Sequence, residues 1–302
     1  MADVIVIKNL KKSFGEVKAV DDLSFKIKEG ELFAFLGVNG AGKSTTISIM
    51  CKTLERDGGE VYVDGESIDT NSEKIARTLG VVFQNSVLDK SLTVRDNLTH
   101  RASLYGIVGK ECKDRIEELS KLLNFSDFLD RAVGKLSGGQ RRKADIARAL
   151  IHKPRILILD EPTTGLDPQT RTVMWKVIED LRQKEKMTVL LTTHYMEEAA
   201  EADFVVIIDG GKLVAEGTPI ELKNRYTGDF ITVYGISEEE AREVSSEYVS
   251  VAGGYRFLVK NTAAATELII KHPKIFTDYE VTKGKMDSVF LAVTGKKLQG
   301  EN

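Results

Sequence analysis

The sequence predicts an α/β protein. Its main sheet is largely parallel and covered on both faces, with a helical insert and a small C-terminal α+β part. Three observations predict this. Residues 156–159, Ile-Leu-Ile-Leu, are a bare apolar run, as a strand buried on both faces requires. Strand and helix patterns alternate beyond that run, which argues for parallel strands linked by helices. A glycine-rich turn at residues 37–42 separates a compact apolar run from a helical pattern.

The elements follow in order. Residues 4–10 and 23–28 alternate apolar and polar side chains, the pattern of half-buried antiparallel strands. Residues 31–36 are a compact strand ending at Gly37, and 42–52 are helical. Residues 60–63 and 80–83 are short strands. From 92 to 150 the spacing turns helical: Val94, Leu98 and Ala102, then Ile116, Leu119, Leu122 and Leu123, then Ala144 to Leu150. Beyond the run at 156–159, the pattern predicts a helix over 172–181, a strand over 188–192 and a helix over 196–202. Strands at 204–208 and 212–215 meet across Asp209-Gly210-Gly211, a hairpin turn. A second unit begins near Gly228, with strands at 231–234, 248–251, 255–259 and 276–281. Helices at 237–244 and 262–271 and a closing helix through Met286, Val289, Phe290 and Val293 complete it. The order βαββαβ suits a small ferredoxin-like unit.

The composition sets bounds. The 302 residues carry 43 Lys+Arg and 46 Asp+Glu, a net charge of −3, which gives no argument for nucleic-acid binding. With 42% hydrophobic and 29% charged residues, the chain can bury a core of ordinary size. No apolar run approaches the roughly 20 residues that span a bilayer. No basic region precedes the apolar run near the N-terminus, so no signal peptide is expected. Cys51 and Cys112 offer no disulfide or metal framework, and a reducing cytoplasm is the expected compartment.

Three motifs carry chemistry. Gly37-Val38-Asn39-Gly40-Ala41-Gly42-Lys43-Ser44-Thr45 fits G-x-x-x-x-G-K-[ST] between a strand and a helix, the context a phosphate loop needs. Its glycines let the backbone wrap phosphates, and the helix N-terminus favours anions. Lys43 is expected on the β- and γ-phosphates and Ser44 on Mg²⁺. Next, Asp160 and Glu161 end the apolar strand 156–159, where Asp160 can approach Mg²⁺ and Glu161 can polarise a water. Last, Leu136-Ser137-Gly138-Gly139-Gln140 opens a helix with a hydroxyl and free backbone N–H groups, a second anion cradle. One site has no need of two cradles, which suggests that the second serves a nucleotide on another copy of the chain.

In this order, with Gln84 between them, these motifs resemble the nucleotide-binding subunit of an ATP-binding cassette (ABC) transporter. The resemblance runs from about residue 3 to 226, roughly three quarters of the chain. It implies the phosphate-loop NTPase fold of that family, with an antiparallel β subdomain and a helical subdomain at about 86–152. Domains are then expected at 1–226 and 227–302. It further implies that Phe14 stacks on adenine, that Gln84 senses Mg²⁺ and the γ-phosphate, and that His194 contacts the γ-phosphate. Gly165-Leu166-Asp167-Pro168 resembles the loop that crosses to the partner subunit. The ligands implied are ATP and Mg²⁺. The partners implied are an integral membrane permease on a separate chain and a second cassette, identical or not. The expected location is the cytoplasmic face of a membrane.

The C-terminal segments Glu216-Gly217-Thr218-Pro219, Glu221-Leu222-Lys223 and Met286-Asp287-Ser288-Val289-Phe290-Leu291 resemble the tail of drug- and antibiotic-exporter ATPases. Two alternatives stay open at this point: an importer ATPase with a C-terminal regulatory domain, and a cassette ATPase that works without a membrane partner.

Overall fold

A computed structural model describes residues 2–296, whose contacts divide the chain into two units. One runs to Tyr195 and includes Ile208–Leu213; the other holds Met196–Ile207 and the chain from Val214 onward.

In the first unit, strands β1 (Asp3–Phe14) and β2 (Val17–Lys28) pair antiparallel. Both are longer than the alternation predicts, because their polar ends stay paired through several register shifts down to Phe14 opposite Val17. Ile5, Ile7 and Leu10 of β1 and Leu23, Phe25 and Ile27 of β2 are buried. After β3 (Leu32–Leu36), strands β4 (Gly58–Val63) and β5 (Glu66–Ser67) complete this sheet in the order β2-β1-β4-β5.

A parallel sheet forms the centre. Strand β6 (Leu79–Val82) pairs with β7 (Ile156–Asp160), β7 with β8 (Thr188–Thr193), and β8 with β3. Every residue of β3, β7 and β8 is buried, as the bare apolar runs require. Parallel pairing brings the C-terminal ends of all four strands to one edge, where open α/β sheets bind ligands. Helices α1 (Lys43–Met50) and α2 (Ser72–Thr78) follow β3 and β5.

The helical insert consists of α3 (Val94–Ser103), α4 (Gly109–Leu122) and α5 (Gly138–Leu150). Capping boxes at Thr93/Asp96 and Ser137/Gln140 satisfy first-turn amides and so set where α3 and α5 begin. Backbone bonds from Val133 to Leu92 and from Gly134 to Lys90, both 2.9 Å, close the insert on itself. Val94, Leu98, Ala102, Ile116, Leu119 and Leu123 are buried as predicted, and Leu122 is half-buried. Helix α6 (Pro168–Glu185) returns the chain to β8.

The second unit begins with α7 (Met196–Ala200). Strands β9 (Phe204–Asp209) and β10 (Lys212–Gly217) flank the Asp209-Gly210-Gly211 turn, which itself groups with the first unit and whose two glycines have φ of +55° and +80°. Helix α8 (Pro219–Tyr226) follows, with a Thr218/Glu221 capping box and Pro219 at its first position. Then come β11 (Asp229–Tyr234), α9 (Glu238–Val244), β12 (Val249–Val251), β13 (Gly254–Val259), α10 (Thr262–Lys271) and β14 (Tyr279–Lys283). Their sheet runs β12-β13-β11-β14, all antiparallel, the strand order of a split βαβ arrangement. Ile231, Val233, Phe257 and Val259 meet Ala241, Val244, Ala265, Ile275 and Phe276 in its core.

The last strand starts later than the apolar pattern suggests. Ile275 and Phe276 are buried core side chains in the turn after α10, where Phe276 N–H bonds to the His272 carbonyl, and extended pairing begins at Tyr279. Helix α11 (Met286–Thr294) packs against α7 and α8 and buries Met286, Val289 and Phe290. This is why α7 and α8, which precede residue 227, group with the C-terminal elements. Among the described residues, no helix is long and apolar enough to cross a membrane.

Candidate active site

The glycine loop joins β3 to α1 at the ligand-binding edge of the parallel sheet. Its shape excludes side chains at two places. A Cβ at Gly37 would lie 2.7 Å from the Ile208 carbonyl oxygen, and one at Gly42, where φ is +107°, would lie 2.3 Å from that of Ala19. Strand β2 thus runs directly beside the loop, and it is paired with β1, which ends at Phe14. Gly40 takes φ +82° with open space before it. Asn39 and Gly40 are exposed at the tip, Ala41 is buried, Ser44 is exposed and Thr45 is half-buried. First-turn amides of α1 lack intrahelical acceptors and are available to an anion.

Lys43 is buried and donates to the carbonyls of Gly37 (2.6 Å) and Val38 (3.1 Å). Its ammonium lies 3.5 Å from Glu161 Oε1. Burial pushes its pKa down, and the negative charges of Glu161 and Asp160 oppose that shift.

The acidic pair sits where β7 ends. Asp160 Oδ1 accepts from Ser44 Oγ at 3.2 Å and from Thr192 Oγ1 at 2.5 Å, so the loop and two strands converge on one carboxylate. Glu161 has φ +46°, and its N–H bonds to the Thr192 hydroxyl at 3.0 Å. Its Oε2 accepts from Gln84 Nε2 (3.0 Å) and Thr164 Oγ1 (3.1 Å). His194 Nδ1 stands 3.4 Å from Oε1 without completing a hydrogen bond. A carboxylate held this way can orient a water and accept its proton.

The structure therefore gathers Lys43, Ser44, Gln84, Asp160, Glu161 and His194. Among the described residues, Ser137, Gly138, Gly139 and Gln140 form no hydrogen bond to that group. Ser137 Oγ accepts from Gln140 N–H at 3.3 Å, and Gln140 Oε1 accepts from Ser137 N–H at 3.1 Å. Gly139 lies so close to Thr170 that a Cβ would come within 2.4 Å of its methyl carbon, and Gly138 faces Leu166. Phe14 is 52% exposed, with Lys12 Nζ over its ring at 5.6 Å from the centroid.

Sequence reasoning passed over Arg142, Thr192, Thr164 and the Ser86–Asp145 pair, which bonds at 2.9 Å. Arg142 had a signal: it shares the helix face of Ile146 and Ala149, four and seven residues on, a core-facing position. Arg142 is buried and donates to the carbonyls of Phe83, Asp160, Glu161 and Pro162.

The residues fit a magnesium–phosphate ligand. Ser44 and Asp160 present hard oxygens already within 3.2 Å of each other, beside a loop that has no room for a Cβ at Gly37 and Gly42. Among the described residues, no cluster of three or more His, Cys, Asp or Glu could hold a metal alone. A hydroxyl and one carboxylate suit Mg²⁺, which takes few protein ligands and completes its shell with phosphate oxygens and water.

Fold and site together define a phosphate-loop ATPase of the cassette type. The family model described as ABC transporter matches residues 20–164. The Nod factor export ATP-binding protein I of Burkholderia orbicola is 34% identical over 98% of both chains. The linearmycin resistance ATP-binding protein LnrL of Bacillus subtilis is 39% identical over 97% of this chain and 98% of its own. Among solved structures, cbiO1 from Clostridium perfringens, part of the ABC transporter complex cbiONQ, superposes with a TM-score of 0.68 at 27% identity. It covers 74% of this chain and 91% of its own. The cassette MJ0796, a dimer in a post-hydrolysis state bound to ADP and Pi, gives 0.64 at 28% identity over 71% of this chain and 98% of its own. The chain belongs to the ABC transporter family and is an ATP-binding, ATP-hydrolysing subunit of such a transporter.

Proposed function

We propose that this subunit drives export of a lipophilic or antibiotic-like compound through a permease carried on a separate chain, and that it works on the cytoplasmic face of the membrane. The observation that carries the export reading is the similarity over 97–98% of the chain to proteins named for Nod factor export and linearmycin resistance. That span exceeds the 71–74% of the chain that the solved cassettes named above cover.

The site residues take the following roles. Backbone N–H groups from Gly40 to Thr45 and the Lys43 ammonium hold the phosphates, and Phe14 offers its ring to adenine. Ser44, Asp160 and the Gln84 amide would hold Mg²⁺, which would supply positive charge to offset that of the phosphates. Glu161 orients the attacking water and accepts its proton, and His194 contacts the γ-phosphate. Ser137–Gln140, at the N-terminus of α5, meets the nucleotide of a second cassette, either another copy of this chain or a different one.

The permease has a docking place beside the site. A cavity of about 230 Å³ lies among Met50, Ile75, Phe83, Arg101, Tyr105 and Arg148, one residue from Gln84. Apolar walls with two guanidinium groups suit a short segment of a membrane protein carrying an acidic residue.

Glu161→Gln tests the core of this reading. The variant keeps ATP affinity, forms an ATP-dependent dimer on size exclusion, and loses turnover by about 10²–10⁴, the scale of a missing general base. A variant that binds ATP but stays monomeric would sink the two-cassette arrangement. Co-purification of the wild-type chain with ribosomes or DNA, and with no membrane protein, would sink the transport role.

A further inference from the structure

Arg142 is only 6% exposed, and its guanidinium makes four hydrogen bonds, all to main-chain carbonyls. Nε donates to Pro162 at 2.8 Å, Nη1 to Phe83 at 2.7 Å, and Nη2 to Asp160 at 3.0 Å and Glu161 at 3.1 Å. Three consecutive carbonyls, 160 to 162, thus curl around one cation. The fourth belongs to the residue before Gln84.

Such an arrangement is costly. Burial disfavours the charged guanidinium, with Asp145 and Asp160 as opposing charges. An apolar side chain could fill the same space without that cost. What the planar fork supplies is direction, since several carbonyls are fixed at once. Glu161 needs such fixing, because its φ of +46° is a conformation that persists only where the surroundings over-determine it. Thr192 holds its N–H from one side and Arg142 holds its carbonyl from the other. One turn further along α5, Asp145 accepts from Ser86 at 2.9 Å, a second tie between that helix and the segment containing Gln84.

We propose that Arg142 is a positioning residue for hydrolysis: it fastens the Glu161 backbone to the start of α5, so that a shift of Ser137–Gly139 reaches Glu161 through one side chain. The inference rests on the reading that those residues meet a second cassette's nucleotide. It gives the cradle on α5 a consequence inside its own protomer, namely that engagement there sets the general base.

The test uses full-length Arg142→Lys and Arg142→Ala. A lysine can donate to two or three carbonyls but cannot span four in a plane. Affinity for a fluorescent ATP analogue stays within about twofold of wild type, while kcat falls about 10–100-fold for Lys and further for Ala, the signature of a misplaced group rather than lost binding. Added guanidinium ion restores part of the Ala variant's kcat and leaves the Lys variant unchanged. In a Glu161→Gln background, both variants still dimerise with ATP. Wild-type turnover in Arg142→Lys overturns the proposal, as does a parallel loss of affinity and kcat. Insolubility of both variants also overturns it, because Arg142 would then hold the fold and not the base. If Glu161→Gln alone never dimerises, the two-cassette reading fails, and a kcat-only loss in Arg142→Lys still places Glu161 under Arg142.

Discussion

Gln84 donates its side-chain amide to Glu161 Oε2 at 3.0 Å, although 77 positions separate the two in sequence. The bond spans neighbouring parallel strands: Gln84 lies just past the end of β6, and Glu161 just past the end of β7. In the proposed arrangement this bond links the permease cavity, which Phe83 lines, to the group that activates water.

Gln84→Ala removes that donor and leaves Thr164 as the hydroxyl on Oε2. A hydrogen bond to a charged group contributes about 1.5–3 kcal/mol, so a turnover loss of about 10–100-fold is expected. Steady-state ATPase assays beside a direct ATP-binding titration make the check. Gln84→Glu is expected to fall further, since a like charge beside Glu161 disfavours its ionised form. Wild-type turnover in both variants would contradict the link.

Much of this site was legible in the sequence, because each motif has a local physical cause. A glycine loop between an apolar strand and a helix has few other uses, and two carboxylates ending such a strand point to one edge of a parallel sheet. Thr192 and Thr164 were not legible, because a threonine at a strand or loop end carries no signal until its partner is known. Arg142 was half-legible: its position on the apolar face of α5 was visible, but the four carbonyls it serves come from segments 18 to 59 positions away. In the fold, α8 went unpredicted although its Thr218/Glu221 box and Pro219 spell a helix start. Its eight residues show too little periodicity for pattern reading alone.

Gly42 and Gly40 both have positive φ, but only Gly42 has backbone in front of it. Gly42→Ala therefore suffers two faults, a left-handed alanine and a Cβ 2.3 Å from the Ala19 oxygen. Gly40→Ala suffers the first alone, about 1–3 kcal/mol for a strained backbone conformation. Urea unfolding is expected to rank Gly42→Ala well below Gly40→Ala, with nucleotide binding lost in the former. Equal destabilisation of the two would show that the approach of β2 is not what constrains the loop.

His152 gives a pH dependence with a definite sign. Its ring stacks on Tyr105 at 4.0 Å, and Nε2 bonds to the Leu79 carbonyl at 3.0 Å, which makes Nε2–H the donor of a neutral imidazole. Burial pushes its pKa down to about 4, helped by the charges of Arg101, Arg115 and Arg148. The unfolded chain, with a pKa near 6.5, then binds the extra proton between about pH 6.5 and 4. The stabilising contribution is whole above 6.5 and shrinks as pH falls toward 4. His152→Gln keeps a donor for Leu79 but does not titrate. Chemical denaturation at pH 7 and pH 5 is expected to show wild type losing more stability than His152→Gln over that interval. An equal loss in both would remove His152 as the cause.

The closing helix decides how separable the C-terminal part is. We propose a boundary near 226/227, because the apolar core from Ile231 to Phe276 is built of residues beyond it. Yet α11 packs back on α7 and α8 and buries Phe290 to 1% exposure. Phe290→Ala in the full chain is expected to cost about 3–5 kcal/mol, the usual loss for emptying a buried phenyl site. A chain ending at Tyr226 loses the same contacts and uncovers the faces of α7 and α8, so it is expected to bind ATP but to melt below wild type. Thermal unfolding of the two proteins, each with and without ATP, compares the effects directly. A truncated chain as stable as wild type, or a Phe290→Ala variant with an unchanged melt, would mean that α11 contributes nothing to holding α7 and α8. A truncated chain that cannot be kept soluble while Phe290→Ala remains folded would move the boundary beyond the last helix.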